Sequence, residues 1–580
     1  MSLMALLPVA EIVMRHAGLN GVPGSTVFVQ HLTLWVAFLG AALAASSDRL
    51  LSLSANTFLP EKWARPVRIV GCGLTAAIAA GLGWASYLFV VSQYQGGEIL
   101  ALGIPKWVAQ LVMPFGFLMI TIRGVLGAGP RFGERLLAGL FLLIPLALYF
   151  APTPTGATVL WIGIPVILAG AVFGLPIFAT LGGIALLLFW NAGLPVASVP
   201  VETYRLVASP VLPSLPLFTL AGYLLVEGGA SVRLLRVYTA LFGWLPGGLA
   251  ITTAVGCAIF TWAGSGVTIL SMGGLLLPML VKARYSERFS IGLINGSGSL
   301  GLLFPPSLPV ILYGVYSRTP INTLFVAGFV PGLMMVAMVS GWGVLQAVRC
   351  GAERAKFSFR EARQAIWAAK WEIAVPFIVL IGLFGGLGTL VEAGAITVVY
   401  CLIVESLVSP GFSIRRDFPR ITLECVTVIG GVLMIIGVAV GLTGYLVAAD
   451  VPTVLIGWVE AHIQSKYVFL LLLNVALLVS GTFMDCFSAI VVMVPLIAPI
   501  AARFAVDPVQ LGIIFLANLE LGYLTPPIGM NLCLSAYRFK QPMTAVYRAT
   551  LPVYLILLGG VLLITYVPEL TLWPVKWLGM

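Results

Sequence analysis

Two proline pairs interrupt long apolar segments of this chain, and they stand at matching places. The first lies in Asn295-Gly-Ser-Gly-Ser-Leu-Gly-Leu-Leu-Phe-Pro-Pro-Ser307, the second in Asn518-Leu-Glu-Leu-Gly-Tyr-Leu-Thr-Pro-Pro-Ile-Gly-Met-Asn531. Leu300-Gly301 and Pro305-Pro306 recur as Leu521-Gly522 and Pro526-Pro527, a displacement of 221 each time (521 − 300 and 526 − 305). Pro278 and Pro499 share it (499 − 278 = 221), and Gly222-Tyr-Leu recurs as Gly444-Tyr-Leu at 222 (444 − 222). Proline carries no N–H and breaks the helical ladder. In hydrocarbon, each backbone group so freed costs several kcal/mol unless something pairs with it. A matched pair of interrupted apolar segments in two halves of a chain points to the binding site of a secondary transporter.

Composition places those segments in a membrane. Hydrophobic residues make up 60% of the 580 and charged ones only 9%, more apolar surface than a soluble globule can hide. Apolar runs of about 20 residues, enough to span hydrocarbon, recur throughout, and no polar stretch is long enough for a soluble domain. A receptor, an ATPase subunit and a membrane-tethered enzyme are thereby disfavoured. The net charge of +10 does not indicate nucleic acid, because Lys and Arg sit in short loops, the positive-inside pattern. Seven cysteines show no CxxC spacing, and three distant histidines show no HExxH, so packing is expected of them and not metal or disulfide chemistry. The N-terminal stretch carries Glu11 and Arg15 within an apolar run, which suggests a retained interfacial or membrane helix and not a cleaved signal.

Loop charge orients the spans. The segment 48–68 is expected inside, helix 69–92 crosses out, 107–125 returns, and 136–150 crosses out to Ala151-Pro-Thr-Pro-Thr-Gly156, a domain boundary. Beyond it, 158–173 and 177–190 form a helical pair turning at Gly174-Leu-Pro176, and a span near 213–228 ends inside at Arg233 and Arg236. The block 247–281 has two cytoplasmic ends and is expected as a re-entrant hairpin, followed by broken helix 289–315. The loop 349–370 is the most basic. After spans 372–387, 389–408 and 421–447, block 467–500 starts and ends outside, a second hairpin entering from the opposite face. Broken helix 508–537 and a last span, 549–567, complete the path. The expected fold is an all-α polytopic membrane protein, an inverted repeat with two re-entrant hairpins and two broken helices. Its domains are 1–130, a small helical scaffold; 131–157, a connecting helix and boundary; 158–348, a first repeat; 349–371, a basic linker; and 372–580, a second repeat.

Interrupted helices offer ligands without charged side chains. Inner N-termini present free N–H groups to anions, and unwound carbonyls ligate small cations. Hard cations such as sodium prefer oxygen ligands. In the first half the ion-site candidates are Ser265, Gly266, Asn295, Gly296 and Ser297, with Ser299, Pro305, Pro306 and Ser307 near a substrate. Taken singly, such serines are more often packing residues; the cluster favours coordination. In the second half Thr482, Asp485, Gly522 and Thr525 form the ion-site candidates, with Glu520, Pro526, Pro527 and Asn531 near the substrate. A mid-membrane carboxylate costs ~2.5–3.5 kcal/mol on insertion scales, which makes Asp485 the foremost single residue. Glu520 is open between binding an ion or proton and pairing with a buried hydroxyl as structural glue. No Lys or Arg falls within 295–307 or 518–531, so an anion there would be held by helix dipoles and amides.

The run Gly298-Ser-Leu-Gly-Leu-Leu-Phe-Pro-Pro-Ser-Leu-Pro-Val-Ile-Leu-Tyr-Gly314, with Leu324-Phe-Val-Ala-Gly-Phe-Val-Pro-Gly332, resembles the large membrane subunit of tripartite ATP-independent periplasmic (TRAP) transporters. So do Gly385-Gly386 with Glu392-Ala393, and Leu524-Thr-Pro-Pro-Ile-Gly-Met-Asn-Leu532; the likeness runs from about 158 to 570. Residues 1–130 resemble, more loosely, the family's small four-helix subunit, through Arg15 and His31-Leu-Thr-Leu-Trp-Val-Ala-Phe-Leu-Gly-Ala41. Helix 136–150 would then be the extra span of a fused protein. The resemblance implies sodium-driven uptake of a small carboxylate or sulfonate, delivered by a periplasmic substrate-binding protein. It also implies an elevator motion, no ATPase, no nucleic acid, no cofactor beyond Na+ as coupling ion, contact with membrane lipid, and location in a bacterial inner membrane. Where the family shows Gly-Ser-Ser at the first hairpin tip, this chain reads Ala263-Gly-Ser-Gly-Val267, which favours carbonyl ligation over the Ser265 hydroxyl. Two other readings compete: a stand-alone sodium- or proton-coupled carrier, and an intramembrane enzyme using Asp485 and Glu520 as an acid pair.

Overall fold

The computed structural model describes residues 1–47, 50, 52–54, 61–150, 158–261, 265–354, 356–385, 388–409, 411–526 and 529–579. Boundary residues 151–157, hairpin residues Ala263 and Gly264, Gly386 and Pro527 lie outside this set. Among the described residues, nine helices are long and apolar enough to cross a membrane, or up to twelve if three bent pairs each count as one span. The polytopic helical class is therefore observed. Contacts divide the chain into two compact units, Met1–Leu217 with Thr422–Thr453, and Phe218–Ile421 with Val454–Met580.

In the first unit, helices Ser2–His16, Ser25–Ser46, Glu61–Gly96, Lys106–Gly127 and Phe132–Phe150 precede a shorter pair, Thr158–Val172 and Ile177–Asn191. Their hydroxyls do not disturb the apolar faces, because each returns its proton to a carbonyl one turn back: Thr33 to Val29, Ser86 to Leu82, Thr121 to Phe117. Within Phe132–Phe150 only Ala138 is buried, as suits a helix lying against hydrocarbon. One polar tie is deeper: His31 Nδ1 pairs with the Val27 carbonyl at 2.8 Å, and Nε2 lies 2.9 Å from the Tyr204 hydroxyl. Tyr204 belongs to Ser198–Val207, a helix that hydropathy did not mark.

The all-α expectation needs one correction. Residues Phe173–Pro176, expected as a plain turn, form a strand antiparallel to Ser52–Ser54, with Ser52 opposite Pro176 and Ser54 opposite Phe173. Pro176 stops the preceding helix from running on, and the backbone groups left over find partners in the other strand.

The second unit holds both interrupted segments. Gly248–Phe260 and Ser265–Lys282 occupy the first segment expected as a hairpin, and Lys466–Phe483 with Cys486–Arg503 the second. The first broken helix is Glu287–Ser297, a 3-10 turn at Leu300–Leu303, and Leu308–Ser317, bent by 43°. The second is Pro508–Gly522 followed by Met530–Phe539. The basic stretch after Cys350 is not all loop: Ser358 caps Phe359–Ala368 by accepting from the Glu361 amide, and that helix turns 61° into Lys370–Phe384. Beyond the last long helix, Met543–Tyr566, the tail forms a further helix, Glu569–Trp577.

Close backbone packing in the first unit rests on glycine. A Cβ on Gly40 would stand 2.2 Å from the Val426 carbonyl oxygen, whereas one on Gly71 would meet nothing within 4 Å. Gly40→Ala should therefore destabilise the purified protein by about 1–3 kcal/mol through overpacking, while Gly71→Ala leaves it unchanged or firmer. Thermal unfolding of both variants in one detergent checks the contrast.

Candidate functional site

At the first break, glycines and prolines end the helix for separate reasons. A Cβ on Gly301 would lie 2.0 Å from the Ala258 carbonyl oxygen, and one on Gly296 would strike Val553. Only glycine lets these backbones approach so closely. Pro305 and Pro306 then supply no N–H, and their peptide bond is cis. Helix geometry resumes at Leu308 with Pro309 in its first turn, where a missing N–H is harmless. The Thr261 hydroxyl reaches both the Cys257 carbonyl (2.6 Å) and the Gly298 carbonyl (3.0 Å), which ties the hairpin to the break.

Asn295 is fully buried and engaged. Its Nδ2 donates to the Thr550 hydroxyl at 2.8 Å, and its Oδ1 accepts from Ser535 at 3.0 Å. It thus joins the first broken helix to the second one and to Met543–Tyr566. Ser297, Ser299 and Ser307 are buried, and their hydroxyls have no hydrogen-bond partner among the described residues. Ser265 and Gly266 open the helix Ser265–Lys282, which packs on both Glu287–Ser297 and Met530–Phe539; a Cβ on Gly266 would meet Leu534.

The second break is assembled differently. Asp485 is the N-cap of Cys486–Arg503, accepting from the amides of Phe487 (3.0 Å) and Ser488 (3.2 Å) and from the Ser488 hydroxyl. The Cys486 amide donates to the Tyr523 hydroxyl at 3.0 Å, and the Asn531 amide donates to the Tyr523 carbonyl at 3.2 Å. Gly481 and Gly522 meet backbone to backbone, since a Cβ on Gly522 would lie 2.6 Å from Gly481 Cα. The contacts of Cys486 with Tyr523 and of Gly481 with Gly522 set the chain around Thr482 and Asp485 against the chain around Gly522 and Thr525. The Thr482 hydroxyl donates to the Leu478 carbonyl at 2.8 Å, and that of Thr525 to the Leu521 carbonyl at 3.0 Å, 3.5 Å from the Tyr554 hydroxyl. Pro526 is exposed. Glu520 and Asn531 are 0% exposed, and neither carboxylate oxygen of Glu520 nor the side-chain Nδ2 or Oδ1 of Asn531 has a hydrogen-bond partner among the described residues. The turn of the first break, Leu300–Leu303, packs on Pro508–Gly522, the helix that leads into the second.

Several participants escaped sequence reasoning. Tyr523 stood inside the second motif without a role. Asn474 is an amide within the apolar run Lys466–Phe483, a signal by that fact alone; its Oδ1 accepts from Asn518 (2.6 Å) and Thr565 (3.1 Å). Thr261, Ser535 and Thr550 gave no signal beyond being hydroxyls in apolar helices.

A multi-pass membrane protein with paired broken helices belongs among transporter permeases, and the comparisons specify which. Residues 164–570 match the family described as "Tripartite ATP-independent periplasmic transporter, DctM component", and residues 4–128 match "Tripartite ATP-independent periplasmic transporters, DctQ component". The isethionate TRAP transporter permease protein DctMQ of Oleidesulfovibrio alaskensis is 29% identical over 96% of this chain and 89% of its own. The C4-dicarboxylate TRAP transporter large permease protein DctM of Pseudomonas aeruginosa is 31% identical over 69% of this chain and 93% of its own. Among solved structures, the YdaH transporter of Alcanivorax borkumensis matches at a TM-score of 0.43 and 15% identity, over 62% of this chain and 88% of that one. The chain belongs to the TRAP transporter family and carries both of its membrane components, DctQ-like and DctM-like, in one polypeptide. It is accordingly a multi-pass permease of the bacterial inner membrane and not an enzyme.

The Tyr523 bond offers a direct check on how the second break is held. Tyr523→Phe leaves the Cys486 amide without its partner and should cost about 1–3 kcal/mol, read as a lowered Tm of the purified protein with insertion unchanged.

Proposed function

We propose that this permease imports a small organic anion, a carboxylate or sulfonate handed over by a periplasmic substrate-binding protein, in symport with sodium. Two relatives are named for isethionate and for C4-dicarboxylates, both small organic anions, and the family is tripartite and periplasmic by description. The observation that carries the reading is the placement of unpartnered buried polar groups. Ser297, Ser299 and Ser307 flank the first break, and Glu520 and Asn531 flank the second. Each such group left without a partner costs about 1–3 kcal/mol, and a cargo or ion arriving there relieves that cost.

Support for an inverted repeat comes from element bounds. Ser265–Lys282 and Cys486–Arg503 differ by 221 at both ends (486 − 265, 503 − 282), and Leu308–Ser317 and Met530–Phe539 by 222 at both (530 − 308, 539 − 317). Packing is reciprocal as well: Ser265–Lys282 lies on Met530–Phe539, and Leu308–Ser317 lies on Cys486–Arg503. With the basic stretch around 349–370 inside, the two hairpins enter from opposite faces. On this reading they move as one elevator body carrying both breaks across the membrane. Sodium is held by carbonyls and hydroxyls near Ser265, Gly266, Asn295, Gly296 and Ser297, and near Thr482, Asp485, Gly522 and Thr525. Two sodium ions with a monoanion move one net charge inward, about 2.3 kcal/mol per 100 mV, or roughly fifty-fold accumulation.

A second reading has one observation in its favour. Glu520, with both oxygens unpartnered, would equally suit a proton as the coupling ion. Proteoliposome uptake separates the two. The sodium reading predicts uptake that needs a sodium gradient and the binding protein; uptake driven by a pH gradient without sodium would replace it. Asp485→Asn keeps a side chain able to cap Cys486–Arg503 but removes the charge. Sodium-stimulated uptake should fall by roughly tenfold or more, given the ~1.5–3 kcal/mol worth of a contact to a charged group. Full sodium stimulation in that variant would confine Asp485 to capping.

A further inference from the structure

Beside the first break, the second unit contains a buried acid cluster at the wall of a cavity. Arg233, on the helix Ala230–Phe242, donates through Nε to Glu372 Oε1 at 2.6 Å and through Nη2 to both Glu405 oxygens at 2.8 and 2.6 Å. Its Nη1 donates to the Gly228 carbonyl at 3.0 Å. Two carboxyl groups thus share one guanidinium. Both glutamates are buried, and Glu372 Oε2 has no hydrogen-bond partner among the described residues. Such a cluster carries one acid in excess, and an orphaned carboxylate oxygen in a membrane protein asks for a donor.

Glu372 also stands in the wall of a cavity of about 580 Å³ and is the one charged residue among its described lining. Apart from Tyr238 the other walls are apolar, among them Leu234, Val255 and Ile259, with Val379 and Leu380 on the helix that carries Glu372. From Glu372 to Leu380 the lining follows that helix for about 12 Å. Phe329, Leu333 and Phe377, also in the lining, are 50%, 47% and 58% exposed, so the cavity opens sideways where the surroundings are hydrocarbon. Glu372 disfavours an anion beside it and favours a cation.

The helix Lys370–Phe384 that bears Glu372 begins at a membrane boundary by its composition. The Lys370 ammonium lies 3.7 Å from the Trp367 ring centroid and 5.0 Å from that of Trp371, and Trp367 is 71% exposed. Tryptophan and lysine together mark the interface with headgroups, here directly after the basic segment 349–370. We propose that this cavity is a binding site for one phospholipid of the cytoplasmic leaflet with a primary-ammonium head group, of the phosphatidylethanolamine type. Its ammonium donates to Glu372 Oε2 and offsets the excess acid of the Arg233 cluster. Its phosphate lies toward Lys370, and one acyl chain enters the cavity. That chain touches Phe304, Pro305 and Pro306, so the lipid packs directly against the first helix break.

The test uses the full-length protein in mild detergent with defined lipids, read by native mass spectrometry and thermal unfolding. Phosphatidylethanolamine should be retained about tenfold better than phosphatidylcholine, whose trimethylated nitrogen has no N–H to give, a ratio expected of one hydrogen bond to a charged group. It should also outlast phosphatidylglycerol. Leu380→Trp, which fills the cavity without touching the acid cluster, should abolish the retained lipid, and Glu372→Gln should remove the head-group preference. Equal retention of all three lipids overturns the proposal. So does undiminished phosphatidylethanolamine binding in Leu380→Trp, which decides the matter even where Glu372→Gln fails to fold.

Discussion

Hydrocarbon offers no hydrogen-bond partner to a bare peptide group, and the second unit is arranged around that constraint. Where a span runs unbroken, the helix satisfies itself. Where Pro305-Pro306 breaks it, nearby pairing comes from other elements: Thr261 reaches the Gly298 carbonyl, and Asn295 bridges Ser535 and Thr550. Beyond Gly522, Tyr523 serves twice, its hydroxyl taking the Cys486 amide and its carbonyl taking the Asn531 amide. Each break is thus stabilised by a hairpin segment, and the first also by the second broken helix.

Glycine makes that arrangement physically possible, and it acts by contact more than by flexibility. Gly481 against Gly522 brings the second hairpin onto the second broken helix, and Gly301 against the Ala258 carbonyl does the same for the first. In the first unit, Gly40 meeting Val426 and Gly430 locks two unbroken helices together. Small residues are the usual means of close helix packing in membranes. In the second unit the same means sets unwound backbone within reach of hydroxyls and amides.

Much of this was legible in the chain. Long apolar runs became spans, and Pro305-Pro306 and Gly522 became breaks, because transfer free energy and the missing proline N–H are local properties. Short helices such as Ser198–Val207, Phe359–Ala368 and Glu569–Trp577 passed unnoticed, since hydropathy windows average away an amphipathic turn or two. The pairing of Ser52–Ser54 with Phe173–Pro176 was equally invisible: it joins segments more than a hundred residues apart. Arg233 looked like an ordinary positive-inside charge, and only tertiary packing sets it, half-buried, between the buried Glu372 and Glu405. Asp485 drew attention as a membrane carboxylate, yet its helix-capping geometry depends on where Phe483 ends one helix and Cys486 begins the next.

Capping and ion binding make compatible demands on Asp485. An ionised carboxylate offers about four lone-pair sites, of which the Phe487 and Ser488 amides and the Ser488 hydroxyl take three. The cap also fixes the side chain in one rotamer, so a cation would meet a pre-positioned oxygen and no ordering cost would be due on binding. Glu520 presents the opposite case, with neither carboxylate oxygen hydrogen-bonded among the described residues. If both served the proposed cycle, Asp485 would supply geometry and Glu520 the driving need for a partner. A carrier must release what it binds. At the second break, oxygens engaged on Asp485 and orphaned on Glu520 divide attraction from restraint in a way that a single fixed charge would not.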